Sequence, residues 1–134
     1  EAQSYYEKAL ATWSALALAH NNLGVLLASE GDFDGAEHHL LKAGELDPRH
    51  FLASLTLANI YAVTGREAEA LVLLDRIVAS MPRLEAATKG RDRVRRRLDD
   101  PGAAPLALEP TVRYLPGTLD AYILLDLRAP ESDG

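Results

Sequence analysis

The sequence predicts an all-α fold in which antiparallel pairs of helices stack on one another. The chain of 134 residues agrees with itself at an offset of 34 residues, which is typical of a stacked helical repeat. The agreeing positions are small or apolar and recur at helical spacing, with glycine and proline between them. The pairs are Leu23 with Leu57, Gly24 with Ala58, Leu27 with Tyr61, Gly31 with Gly65, Ala36 with Ala70, Leu40 with Leu74, and Pro48 with Pro82.

The first predicted element is a helix near residues 1–12. One period upstream of Ala36, Leu40 and Ala43 stand Ala2, Tyr6 and Ala9, so this helix corresponds to the second helix of a pair. Residues 1–16 are therefore half a repeat. The chain begins at Glu1 without a methionine, and we expect it to be a piece of a longer protein.

Two complete repeats follow, over residues 17–50 and 51–83. Their helices are predicted near 17–30, 33–46, 51–64 and 67–80. Gly31 and Gly65 end the first helix of each pair, because a glycine closes the last turn without strain. Pro48 and Pro82 end the second helix, because proline cannot continue it. The small residues Gly24, Ala36, Ala58 and Ala70 stand where paired helices approach closely.

These residues carry a family resemblance. The stretch "HNNLGVLLASEGDFDGAEHHLLKAGELDP" resembles a tetratricopeptide repeat, and the resemblance covers residues 1 to about 83. It implies a right-handed superhelical stack, an α-solenoid. The sequence departs from the family at His20, where Trp or Leu is usual, and at Ser14, where proline is usual.

The chain after the repeats divides into two parts. Residues 84–100 form a basic helix that no longer follows the pattern, with a thin apolar stripe of Leu84, Ala87, Val94 and Leu98; we interpret it as the cap of the stack. Residues 101–134 hold five of the seven prolines. Their apolar run from Leu119 to Leu127 fits either a hairpin strand, with a turn at Pro116-Gly117, or a short helix capped by Thr118.

The first helix of each pair has a face that packing within the stack does not use. In proteins that the sequence resembles, this face lines a concave groove that holds a peptide or a helix. Apolar walls suit an amphipathic helix or apolar peptide, and asparagine amides can bind an extended backbone. Packing against the next repeat is the alternative for each leucine. The predicted peptide-binding residues are Leu18, Asn21, Asn22, Val25, Leu52, Leu55, Asn59 and Val63.

Two sharper family hypotheses are rejected. Chaperone-binding members grip a terminal carboxylate with asparagine and several cations, but Leu52 and Thr56 occupy the cationic positions here. A carboxylate would then lose its hydration with little return. An asparagine ladder like that of the O-linked N-acetylglucosamine transferase repeat domain starts at Asn22 and stops at Thr56.

The predicted function is therefore a protein–protein interaction scaffold rather than an enzyme. His38 and His39 are adjacent on a helix and make a poor chelating pair, so we expect no metal, no cofactor and no catalytic residue. The net charge of −6 argues against nucleic acid. The arginine run "KGRDRVRRRLDD" is interpreted as a solvated helix end. His20 and its neighbouring asparagines interrupt the uncharged stretch between Lys8 and Glu30, so we expect no membrane insertion and a soluble, cytoplasmic protein.

Two alternatives stay open at this point. The chain could be a structural self-assembly unit, a homo-oligomer formed through the exposed face of the first helix, with Tyr6, Ala9 and Trp13. Alternatively, the segment around Leu119–Leu127 could occupy the groove of its own chain and so control access to it.

Overall fold

The computed structural model describes residues 2–47, 51–102, 105–114 and 121–128. Five helices precede two strands in the described part: α1 Ala2–Ser29, α2 Phe33–Leu46, α3 Phe51–Val63, α4 Glu67–Ser80, α5 Glu85–Asp99, β1 Ala107–Tyr114 and β2 Ala121–Arg128. Each helix packs on the next, so the all-α stack of helix pairs is confirmed.

The helices predicted near 1–12 and 17–30 are one continuous helix, α1. The prediction of a break was wrong. Ser14 keeps the backbone N–H that a proline would lack, and it has no ring to collide with the preceding turn. No glycine or proline stands between Trp13 and Leu18. The half repeat and the first helix of repeat 17–50 therefore share a single axis.

Both predicted glycine turns are present. Gly31 has φ +86° and Gly65 has φ +85°, so each occupies the left-handed region that glycine tolerates. The following residue closes the turn: Asp32 N–H donates to the Leu27 carbonyl at 2.9 Å, and Arg66 N–H donates to the Tyr61 carbonyl at 2.9 Å. These two bonds are themselves 34 residues apart, so the sequence repeat is also a repeat of backbone geometry.

The core lies between the helices of each pair. Its buried side chains include Ala36, Leu40, Ala43, Ala58, Ala70, Leu74 and Ile77. Gly24 allows the closest approach, because a Cβ on it would lie 2.9 Å from Leu40 Cγ. On the other side of the α1–α2 interface, His20 Nδ1 and His39 Nδ1 are 3.0 Å apart, so one ring donates and the other accepts.

A polar network joins the first pair to the second. The Tyr61 hydroxyl donates to Glu37 Oε1 at 2.7 Å, and Arg66 Nη1 lies 3.1 Å from Glu37 Oε2. The Arg66 guanidinium also lies over the Tyr61 ring, 3.9 Å from its centroid, and pairs with Glu69 at 2.7 Å. Residues from α2, α3 and the turn before α4 are thereby tied together.

The segment after the stack is a hairpin, which was one of the two structures the sequence allowed. β1 and β2 pair antiparallel, from Ala107 opposite Arg128 to Tyr114 opposite Ala121. The proposed turn and cap, Pro116-Gly117 and Thr118, lie outside the described residues. In α5, Ala87 and Val94 are buried as predicted, whereas Leu98 is 40% exposed, so that part of the predicted stripe was wrong.

Candidate functional site

The strand β2 crosses the helices that begin each pair. It contacts α1, α3 and α5, whereas β1 contacts α3. Leu125 and Leu127 are 2% and 3% exposed. Because alternate side chains of a strand point to the same face, that face of β2 is turned toward the helices.

Two helix side chains bind the backbone of β2. The Asn59 amide Nδ2 on α3 donates to the Leu125 carbonyl at 2.8 Å. Two residues along the strand, Arg93 Nη1 on α5 donates to the Leu127 carbonyl at 2.6 Å. Both acceptors belong to the main chain, so these bonds recognise an extended backbone regardless of its side chains.

The hairpin directs the Leu125 carbonyl toward α3. Leu125 stands opposite Pro110 in β1, and proline has no N–H to donate to a partner strand. The pair cannot exchange both ladder bonds, so the Leu125 backbone groups point away from β1. Asn59 therefore closes the edge of β2 that a two-stranded sheet leaves unpaired.

The residues that meet β2 repeat with the period of the sequence. Val25, Asn59 and Arg93 are spaced 34 residues apart and lie on α1, α3 and α5. Val25 is 1% exposed, and the other two bind the strand as described. The same position in three successive units thus forms one row across the concave side of the stack.

An apolar cleft remains beside the strand. It has a volume of about 510 Å³ and is lined by Ala28, Ser29, Phe33, Val63, Leu108 and Leu125. The Ser29 hydroxyl already donates to the Val25 carbonyl at 3.0 Å. The hairpin thus leaves space between itself and the ends of α1 and α3.

Comparison with known families identifies the stack. Residues 27–89 match the family described as Tetratricopeptide repeat. Residues 27–89 are a tetratricopeptide repeat segment. Searches of curated proteins and of solved structures gave no match to the chain. Tetratricopeptide repeats are typically non-catalytic scaffolds that mediate protein–protein interactions, through the concave surfaces that stacked repeats create.

The eight predicted groove residues of the tetratricopeptide stack are less accessible than an open groove would make them. Four are buried, namely Asn21, Val25, Leu55 and Asn59, and four are half-buried, namely Leu18, Asn22, Leu52 and Val63. Asn59 binds β2 and Val63 lines the cleft beside it. For the other six, a role in binding stays a prediction.

The predicted self-association residues are only partly visible. The backbone of Tyr6, Ala9 and Trp13 belongs to α1, but their side chains lie outside the described part of the structure. Further along α1, Leu16, Leu23 and Leu26 are 45%, 42% and 53% exposed. Leu16 and Leu23 continue the spacing of Ala9 by seven residues.

Arg93 was the contact that sequence reasoning missed. In the run "KGRDRVRRRLDD" it looks like one more cation on a solvated helix. Its neighbours do form ion pairs among helices: Arg95 with Asp75 at 3.5 Å and Lys89 with Glu85 at 2.6 Å. The available signal was the 34-residue step from Asn59.

The described residues hold no group of three or more His, Asp or Glu that could hold a metal ion. Within the same residues, no helix has the length and apolar character needed to cross a bilayer.

Proposed function

We propose that this chain is a protein-binding module whose concave groove holds an extended segment, and that β2 is a displaceable occupant of that groove. The observation that carries the proposal is the pair of bonds from Asn59 and Arg93 to carbonyls two residues apart on β2. This arrangement favours an extended peptide over an amphipathic helix, because a helix uses its own carbonyls internally.

The occupant of the groove is joined to the stack and is held by few contacts. Leu125 and Leu127 supply the buried apolar anchors, and two side chains bind its backbone. A partner strand that offers the same anchors and carbonyls can use the same row. The hairpin then acts as an intramolecular competitor, present at an effective concentration in the millimolar range.

The test opens the groove without removing the hairpin. A full-length variant with Leu125→Asp and Leu127→Asp, the opened variant, loses both anchors of β2. The probe is a fluorescent peptide with the sequence of residues 121–128, AYILLDLR, and binding is measured by anisotropy. We expect the opened variant to bind the peptide at least roughly tenfold more tightly than the native chain.

A matched control carries Leu41→Asp and Val72→Asp, at positions that are 50% and 53% exposed on α2 and α4. It should behave like the native chain. Circular dichroism establishes that each variant keeps its helices, and the single variant Leu127→Asp serves if the double variant unfolds. Absence of peptide binding by a folded, opened variant would overturn the proposal.

A second candidate is self-association through α1. It is supported by the exposure of Leu16, Leu23 and Leu26, whose spacing is that of a helix–helix seam. The occupant would be α1 of a second copy. Sedimentation across a range of concentrations should then give a dimer that Leu16→Glu with Leu23→Glu dissociates; a native monomer at every concentration would exclude this interface.

A further inference from the structure

The groove has a direction and a charge gradient. β2 meets Asn59 of α3 at Leu125 and Arg93 of α5 at Leu127, so its carboxyl end lies over α5. Residues 1–48 contain eight acidic and two basic side chains, whereas residues 83–100 contain four acidic and seven basic ones. A segment bound as β2 is bound therefore ends in the positive part of the chain.

Arg93 brings an uncompensated charge to that end. Its guanidinium binds a neutral carbonyl, which uses one of its five N–H donors and leaves its charge in place. Lys89 and Arg95, on either side, are paired with Glu85 and Asp75. Among the described side chains, no carboxylate lies within ion-pair distance of Arg93.

The chain's own strand does not complement this charge. Arg128 follows Leu127 directly and is the last residue of β2. A positive side chain beside a positive helix weakens the docked state, whereas a carboxylate at the same position would gain a charge-assisted contact. The native strand is thus a poorer ligand than one that differs from it only at this position.

We propose that the groove selects a partner segment in extended form that carries two alternate apolar residues followed directly by Asp or Glu, and that Arg128 keeps the resident strand replaceable. This inference rests on the proposed function, because it concerns the ligand of the same groove. Arg93 supplies the selectivity for the acidic residue, and Asn59 contributes to binding without regard to charge.

The test compares three peptides on the opened variant: AYILLDLR, the same peptide with Arg128→Glu, and the same peptide with Arg128→Lys. We expect the glutamate peptide to bind about fivefold more tightly than the other two at low salt. The preference should shrink as salt is raised. Adding Arg93→Gln, which retains N–H donors but no charge, should abolish the preference, whereas Arg95→Gln should leave it intact.

The outcomes separate this inference from the proposal beneath it. If all three peptides bind equally, the groove binds extended segments but does not select an acidic residue, and the inference is overturned alone. If the preference survives Arg93→Gln, Arg93 is not its source and the inference is again overturned. If no peptide binds the folded, opened variant, both proposals fail.

Discussion

The bond from Asn59 to Leu125 can be removed with one substitution, Asn59→Ala. Asn59 is 2% exposed and its Nδ2 lies 2.8 Å from the Leu125 carbonyl. The substitution removes a hydrogen bond with a net value of about 1 kcal/mol. It also leaves a carbonyl near the helices without this donor, which brings the expected loss to about 1–3 kcal/mol.

That loss falls on the docking of the hairpin. A two-stranded sheet is at best marginally stable alone in water, so an undocked hairpin loses protection of its amides. Hydrogen exchange monitored by NMR should show the β1 and β2 amides exchanging about 5- to 150-fold faster in Asn59→Ala. Amides of α4, which does not carry the substitution, should change less.

The matched control is Ser54→Ala, a half-buried position on the same helix that makes no contact with the hairpin among the described residues. Its exchange pattern should equal that of the native chain. Equal exchange rates for the strand amides of Asn59→Ala and the native chain would refute the view that Asn59 holds β2 in the groove.

The remaining predictions concern the helical stack. Gly24→Ala should lower the free energy of unfolding by about 1 kcal/mol, because the clash with Leu40 costs more than the helix propensity gained; Gly44→Ala, whose Cβ would meet nothing within 4 Å, should raise it by about 0.5–1 kcal/mol. Urea titrations measure both, and equal shifts would contradict the close approach. Burial and the neighbouring His39 lower the pKa of His20, so its unfolded form binds the proton more tightly and stability should fall as pH drops below about 6.5. His20→Asn should reduce that dependence in the same titrations, and an unchanged pH profile would argue against it.

Much of the stack follows from local rules. Gly31 and Gly65 mark turns that require positive φ, and small residues such as Gly24 mark the contacts between helices, so the helix pairs could be predicted from their spacing. The break after residue 12 could not, because the family usually has a proline where this chain has Ser14. One residue that preserves a backbone hydrogen bond was enough to fuse two helices.

The site was predicted less completely for a different reason. The row of Asn59 and its equivalents was located, but the strand that fills it depends on contacts far apart in sequence. The alternation from Leu119 to Leu127 fits a strand, and the same residues fit a short helix, so only tertiary packing decides between them. Arg93 was missed because a charge that binds a backbone carbonyl has the same sequence signature as one that binds water.

The bond between Asn59 and Leu125 joins residues 66 positions apart, and this changes how the molecule should fold. A stack of helix pairs makes contacts only between neighbours, so it can lose its terminal units one at a time. β2 touches α1, α3 and α5 together, and fraying at either end of the stack therefore costs contacts to the same strand. Because distant segments meet late in folding, we expect the hairpin to dock last and to convert a modular array into one cooperative unit.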